Sequence, residues 1–336
     1  MGLNKFIENQ DYHLEIEEIR QTNSKDKFSR IKPSTIQDLL NKQFTEGKPQ
    51  GWPCGIDRLN PIFRWRRRGG LYGLTAYPQA GKSELLKYMA VQAAKLYGWK
   101  TVIFSPEEET DDIIEDLVRT FIGKNTNKTF KNQMLPGEWE RGLAFVEEHF
   151  LLLEFDGMVD FERLIDEYES IIKSDPKYKI FITDPWNYVA EGSFDQAGDK
   201  YLKVALTHMK TFSKRHQVHN IIVEHQNKPK LNNKGEVPKA SVHNITGGAM
   251  WYKKCDTIII LHSYWTETNQ DITVDFETAK SKAQRYNGQR GTRALYFELQ
   301  TGRYLEYDPR EKESDQIGID WSEPTKTGDE DDDMPF

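Results

Sequence analysis

The sequence predicts an α/β fold: a mostly parallel sheet flanked by helices, with an antiparallel edge at its C-terminal end. Three observations carry that expectation. Between residues 71 and 261, short apolar runs alternate with stretches in which apolar residues recur at helical spacing. The first run leads through a phosphate-loop sequence into the first such helix, in LYGLTAYPQAGKSELL. Beyond residue 270 the period changes to two, in ITVDFETAKSK, TRALYFELQ and GRYLEY.

The elements follow in order. Residues 1–49 read as an N-terminal extension and linker helix. The first 33 are polar, with a helical stretch in EIEEIRQ, and their order is expected to depend on a partner. In KPSTIQDLLNKQF, Ser34 or Thr35 is placed to cap a short helix carrying Ile36, Leu39 and Leu40 on one face. That face either packs on its own domain or docks on a neighbouring subunit. GKPQGWPCG breaks the chain, and one core domain is expected over residues 50–310. Strands are expected at Thr101–Ser105, Phe150–Glu154, Lys179–Thr183, Asn220–Val223 and Cys255–Leu261. Helices fall near Asp111–Phe121, at Phe161–Lys173, and around Leu202, Leu206, Met209 and Phe212. No internal repeat is visible.

Composition narrows the classes. The 336 residues suffice to bury a core, and 37% hydrophobic with 29% charged residues is the balance of a soluble protein. No apolar run reaches bilayer length, and MGLNKFIENQ lacks the apolar core of a signal peptide. Cys54 and Cys255 stand far apart, which argues against a disulfide framework or a cysteine zinc site and fits a cytoplasmic setting. The tail, residues 311–336, carries a net −8 against −7 for the whole chain, so residues 1–310 sum to about +1. The body is therefore free to present a local basic surface.

The chemistry-bearing motifs begin with the loop Ala76-Tyr77-Pro78-Gln79-Ala80-Gly81-Lys82-Ser83. Backbone N–H groups of such a loop cradle phosphates, Lys82 reaches the β- and γ-phosphates, and the Ser83 hydroxyl ligates Mg²⁺. The first position is Ala76 where the usual pattern has Gly. KIFITDPWN places Asp184 at the C-terminal end of an apolar strand, where a nucleotide-binding sheet keeps its metal; a turn or cap before Pro185 is the plainer role. FSPEEE offers Glu107, Glu108 and Glu109 as groups to position and polarise an attacking water, on a strand expected beside the phosphate-loop strand. An acidic turn capping the next helix also fits Glu108 and Glu109.

Taken together, these motifs resemble the DnaB/Twinkle-type replicative ring helicases, with a RecA-like P-loop ATPase core, over about residues 50–308. AYPQAGKS is similar to their phosphate loop, FSPEE to the strand-end motif that would make Glu107 the catalytic base, and ITDPWN to the Walker B segment. VEHQNKP resembles the motif whose polar residue senses the γ-phosphate, here His225, with Gln226 beside it. NITGGAMWYKKCDTII is similar to the Gly-rich turn and helix that precede a strand, and Gly247 and Gly248 are counted with the DNA-contacting residues on that resemblance. AQRYNGQRG resembles the hairpin that supplies an arginine finger, here Arg285. Family members often carry Lys two positions earlier, where this chain has Ala283, with Lys282 one residue off.

The resemblance implies an ATP- and Mg²⁺-dependent, ring-forming DNA helicase, a hexamer by resemblance alone, translocating 5′ to 3′ on single-stranded DNA in replication, in a bacterial or phage-infected cytoplasm. A RecA/RadA-type recombination ATPase and a non-motor ATP- and DNA-binding loader are the alternatives. The segment Asn227–Ser241 carries Lys228, Lys230, Lys234 and Lys239 and reads as a phosphate-binding loop facing the channel of the ring, against the plain reading of a solvated surface loop. The run Arg64–Gly70 (RWRRRGG) is expected to touch DNA or a neighbouring subunit. The acidic tail is expected to be disordered, and its tip Asp331–Phe336 (DDDMPF) resembles the partner-binding tip of bacterial single-stranded-DNA-binding proteins, which implies replication or repair partners; a solubilising tail is the plainer reading.

Overall fold

The protein is described by a computed structural model over residues 32–307, apart from 128, 130–131, 158, 191–197, 229–237 and 266–270. The extension before residue 32, Lys230, Lys234 and the tail with its tip lie outside the described residues.

A 3₁₀ turn, Pro33–Ile36, leads into α1 (Gln37–Glu46). The core then runs β1 (Gly70–Ala76), α2 (Lys82–Tyr97), β2 (Lys100–Phe104), α3 (Thr110–Ile122), α4 (Pro136–His149), β3 (Phe150–Leu153), β4 (Val159–Asp160), α5 (Phe161–Ser174), β5 (Tyr178–Thr183), β6 (Val189–Ala190), α6 (Gly198–His216) and β7 (His219–His225). It closes with α7 (Gly248–Lys254), β8 (Thr257–Trp265), β9 (Asp271–Ser281), α8 (Gln284–Asn287), β10 (Gly291–Glu298) and β11 (Arg303–Leu305).

Nine strands form one sheet in the order β11-β10-β9-β8-β1-β7-β5-β2-β3, and β4 pairs with β6 in a small second sheet. Strands β8, β1, β7, β5, β2 and β3 pair in parallel, whereas β8–β9, β9–β10 and β10–β11 are antiparallel. The expected architecture is borne out, including the change of pairing where the period changes.

The sheet is buried on both faces because its strands alternate between two cores. Tyr72, Leu74, Ile259 and Leu261 join α2, α3 and α4 on one side; Leu71, Ile258 and Ile260 join α5, α6 and α7 on the other. At about 25 cal/mol per Å² of apolar surface, this two-sided burial dominates the stability of the central strands.

Three expectations need correction. The strand that ends at the acidic turn, β2, does not lie beside β1: β7 and β5 stand between them. Both intervening strands carry the same kind of buried apolar run as β1, and strand order is decided by which faces pack together, which local pattern does not encode. Neither Ser34 nor Thr35 caps α1; both lie in the 3₁₀ turn, and α1 starts without a side-chain cap. Helix α4 has no counterpart among the expected elements. Its buried face is thin, with Gly142 and Val146 buried, and it forms because Pro136 opens it and the Glu138 carboxylate accepts the Leu135 N–H at 2.8 Å, while Phe145 stacks on Phe121 of α3.

The basic run is also more occupied than expected. Arg64 donates to the Asn60 carbonyl, Arg66 to that of Lys282 and Arg67 to that of Gln50, with the Arg67 guanidinium 3.8 Å over Trp52. These side chains tie the entry segment to the domain.

Candidate active site

The site forms at the C-terminal ends of β1, β5, β2 and β7, where the parallel strands release their loops. Residues Ala76 to Gly81 turn the chain from β1 into α2, and Ala76 itself is fully buried at the strand end, outside the cavity. Pro78, Gln79, Ala80, Gly81, Lys82 and Ser83 all line a cavity of about 500 Å³. The α2 N-terminus points its free N–H groups into it, a ready site for an anion.

Lys82 is buried to 7% exposure and its Nζ lies 3.4 Å from the Tyr77 carbonyl. Burial lowers its pKa below the usual lysine range, while Asp184 and Glu107 oppose that shift. The Ser83 hydroxyl donates to Asp184 Oδ2 at 2.6 Å, joining two sites 101 residues apart in the chain. Burial pushes the Asp184 carboxyl up to about 6, against the Ser83 hydrogen bond and the Lys82 charge.

The Ser83–Asp184 pair offers two hard oxygen donors at the mouth of a phosphate cradle. Among the described residues no group of three His, Cys, Asp or Glu side chains could hold a metal unaided. That donor set fits Mg²⁺, which takes one or two protein oxygens and completes its shell with phosphate and water.

Although β7 and β5 stand between β1 and β2, Glu107 and Glu108 in the turn after β2 line the same cavity. The two residues differ in what holds them. Glu108 is ion-paired to Lys87 at 2.8 Å; Glu107 is partly exposed and faces His225, with 3.6 Å between Oε2 and Nε2. Burial and the Lys82 charge lower the His225 pKa from its ordinary value, Glu107 acting the other way. His225 is thereby neutral near pH 7, able to accept or donate one hydrogen bond at the edge of the phosphate cradle.

The remaining sequence-derived positions lie elsewhere. Arg285, in α8, lines a separate cavity of about 400 Å³ with Arg64, Asn60 and Tyr286. Lys282 pairs with Asp256 at 3.4 Å, and Ala283 adopts a left-handed conformation with φ 56°. Lys228 and Lys239 are exposed at the two ends of the lysine segment. Those ends are tied together: Ser241 N donates to Gln226 Oε1 at 3.1 Å, Gln226 Nε2 donates to the Ser241 carbonyl at 2.9 Å, and Asn227 N donates to the Asn244 carbonyl at 2.7 Å. Gln226 Nε2 also reaches Thr75 Oγ1 of β1 at 2.9 Å. Gly247 and Gly248 begin α7; a Cβ on Gly248 would stand 2.1 Å from the Val242 carbonyl oxygen, so the helix can approach its preceding turn only with glycine there.

Sequence reasoning missed the rest of the cavity wall. Arg119 of α3 lines it, as do Tyr304, whose hydroxyl donates to the Gly81 carbonyl at 3.1 Å, and Ile272, Val274 and Phe297 from the antiparallel strands. All three fall within the period-two runs, but only the fold brings them to the phosphate loop. They supply an apolar wall of the kind a nucleobase packs against.

Comparison with known proteins agrees with this geometry. The chain is 24% identical over 271 residues to the chloroplastic/mitochondrial Twinkle homolog protein of Arabidopsis thaliana, a match over 77% of this chain. It spans about a third of that relative's length, 36%. Its fold matches a solved ATPase domain with a TM-score of 0.67 at 14% identity, covering 81% of this chain and 99% of that one. It also matches a DnaB-like replicative helicase, solved in a study of its interactions with primase, with a TM-score of 0.63 at 14% identity over 91% of this chain and 77% of that one. No protein-family model matches the chain. The resemblance to DnaB/Twinkle-type helicases read from the motifs is borne out in sequence and in fold, and the fold is that of a RecA-like ATPase domain.

Proposed function

We propose, from its likeness to Twinkle- and DnaB-type helicases, that this chain is an ATP-dependent DNA helicase of replication that moves along single-stranded DNA as a ring of identical subunits. The observation that carries the reading is the convergence of Lys82, the Ser83–Asp184 pair and the Glu107–His225 pair on one cavity. These are the parts that phosphoryl transfer to water requires: a cationic phosphate cradle, oxygen donors for a divalent ion, a carboxylate to orient water and a polar group to register the γ-phosphate.

Each residue has a defined task on this reading. Lys82 and the loop N–H groups hold the phosphates, Ser83 and Asp184 hold Mg²⁺, and Glu107 orients and deprotonates the attacking water. Mg²⁺ held there would offset the negative charge of the phosphates. His225 reports the γ-phosphate, and the neighbouring Gln226, which leads into the lysine segment, is hydrogen-bonded to Ser241 at the segment's far end, so Lys228, Lys230, Lys234 and Lys239 respond to nucleotide state while holding the DNA backbone. Gly247 and Gly248 shape the turn facing the same strand. Arg285, remote from its own subunit's cavity, completes the site of the adjacent subunit. Six subunits, 5′-to-3′ travel, a cytoplasmic setting and replication or repair partners at the tip Asp331–Phe336 belong to the same proposal.

Unwinding of a forked duplex, compared between the native protein and Lys82→Ala, together with particle imaging in the presence of an ATP analogue and single-stranded DNA, tests it. Unwinding that requires ATP and Lys82, with closed rings, is the expected result. Filaments that exchange strands without unwinding overturn it.

A further inference from the structure

The cavity leaves one buried charge without a task. Lys87, 4% exposed on the second turn of α2, directs its ammonium to three carboxylates: Glu84 at 3.1 Å, Glu108 at 2.8 Å and Asp116 of α3 at 2.5 Å. Arg119 adds a second cation through Asp116. Burial works against the Lys87 charge, but the three carboxylates outweigh it and hold the ammonium above its ordinary range. An ammonium removed from water in this way costs several kcal/mol unless it is fully paired, so its presence beside the nucleotide cavity calls for an explanation.

The geometry supplies one. Lys87 stands on the same rigid helix whose N-terminus cradles the phosphates, and Glu108 is the residue next to Glu107. The turn that carries both glutamates closes on a backbone bond from Glu108 N to the Ser105 carbonyl, at a long 3.3 Å. Glu107 itself is partly exposed and meets the His225 ring at 3.6 Å. Its place relative to the phosphates is therefore set by the backbone of the turn, and Glu108 bonded to Lys87 is what ties that turn to α2. Without the ammonium, Glu84, Glu108 and Asp116 would face one another with only Arg119 to offset them, and mutual repulsion would move the turn outward.

We propose that Lys87 is a positioning residue: by holding Glu108 it fixes the distance between Glu107 and the phosphate cradle. The inference rests on the reading of this cavity as an ATP-hydrolysing site. It assigns distinct roles to the neighbouring glutamates, Glu107 to water and Glu108 to anchorage.

Steady-state ATPase kinetics of the full chain, with melting temperature and affinity for a non-hydrolysable Mg²⁺–ATP analogue, test it on K87M, K87R, E108Q, the double variant K87M/E108Q and E107Q. Displacing a catalytic group by about an ångström costs up to about a hundredfold, so K87M and E108Q should each lower kcat by about ten- to a hundredfold. KM and analogue affinity should stay within about twofold, because ground-state binding is untouched. The double variant should be no slower than the worse single one, since both break the same link, and K87R should recover most of the rate. A native kcat in E108Q, additive losses in the double variant, or losses that follow melting temperature alone overturn the inference. A loss in E108Q as deep as in E107Q assigns the base to Glu108 and overturns it too. If the native protein hydrolyses no ATP, the proposed function itself fails; if it hydrolyses ATP, E107Q does not, and E108Q matches the native rate, only the role of Lys87 and Glu108 is lost.

Discussion

At the residue scale, the proposed function separates groups that bind from groups that react. Replacing Lys82 with Ala removes the cation at the phosphate cradle and should abolish nucleotide binding and hydrolysis together. Glu107→Gln preserves shape and removes only the proposed base, so nucleotide affinity should persist while kcat falls by about 10²–10⁴-fold, the contribution of a positioned general base; an affinity loss of similar size in a binding assay would contradict that role. His219 shows a different use of a titratable group. It is 2% exposed at the start of β7, its Nδ1 lies 3.0 Å from the Tyr72 hydroxyl, and burial pushes its pKa down to about 3. The unfolded chain takes up that proton near its ordinary value of about 6.5, so between roughly pH 6.5 and pH 3 the unfolded state binds more protons and stability falls as pH falls. Each pH unit in that window should cost about 1.4 kcal/mol. Melting temperatures measured against pH should lose that slope in His219→Gln. The VEHQNKP motif singled out His225 and left His219 unread: both sit in one strand, and their depth in the packed sheet separates a buried core imidazole from a cavity-edge one.

At the scale of elements, helix α7 and the two described ends of the lysine segment are held by geometry rather than by propensity. Gly248→Ala should destabilise the protein by about 1–3 kcal/mol, because its Cβ would meet the Val242 carbonyl oxygen at 2.1 Å and the turn would have to shift; a melting temperature equal to the native one would count against that steric account. Elements with a strong period were legible: the helix after the phosphate loop, the amphipathic helix α5, whose N-terminus Asp160 caps by accepting from Arg163 N at 2.7 Å, and the buried strands. Helix α4 was not, since its contact with α3 depends on a stacked Phe121–Phe145 pair with ring centroids 3.8 Å apart and on few buried residues. A thin apolar face carries too little periodic signal to announce a helix.

At the scale of the whole molecule, the cavity that holds the phosphate loop does not include Arg285, the arginine that the proposed motor needs, because that residue lies against a different cavity. ATPase activity per subunit should therefore rise with protein concentration as subunits assemble, and Arg285→Ala should remove about 10³-fold or more of it while leaving assembly intact by light scattering. Binding to a single strand should weaken with salt, the slope of log affinity against log salt falling by about 0.7 for each of Lys228 and Lys239 replaced. The sequence by itself marked the parallel core with its antiparallel edge, the phosphate-loop motif, and Lys82, Ser83, Asp184 and, through the family resemblance, Glu107 as candidate site residues, all four of which line one cavity. Those signals are local: a period along one strand or helix, or a loop whose residues act within a few positions of one another. Only the tertiary structure decided that β7 and β5 separate β1 from β2, that Ile272, Val274 and Phe297 close the cavity, and that Lys87 binds Glu108. These are encounters between segments far apart in the chain, and they follow from which buried faces pack together, a choice that no local pattern of residues records.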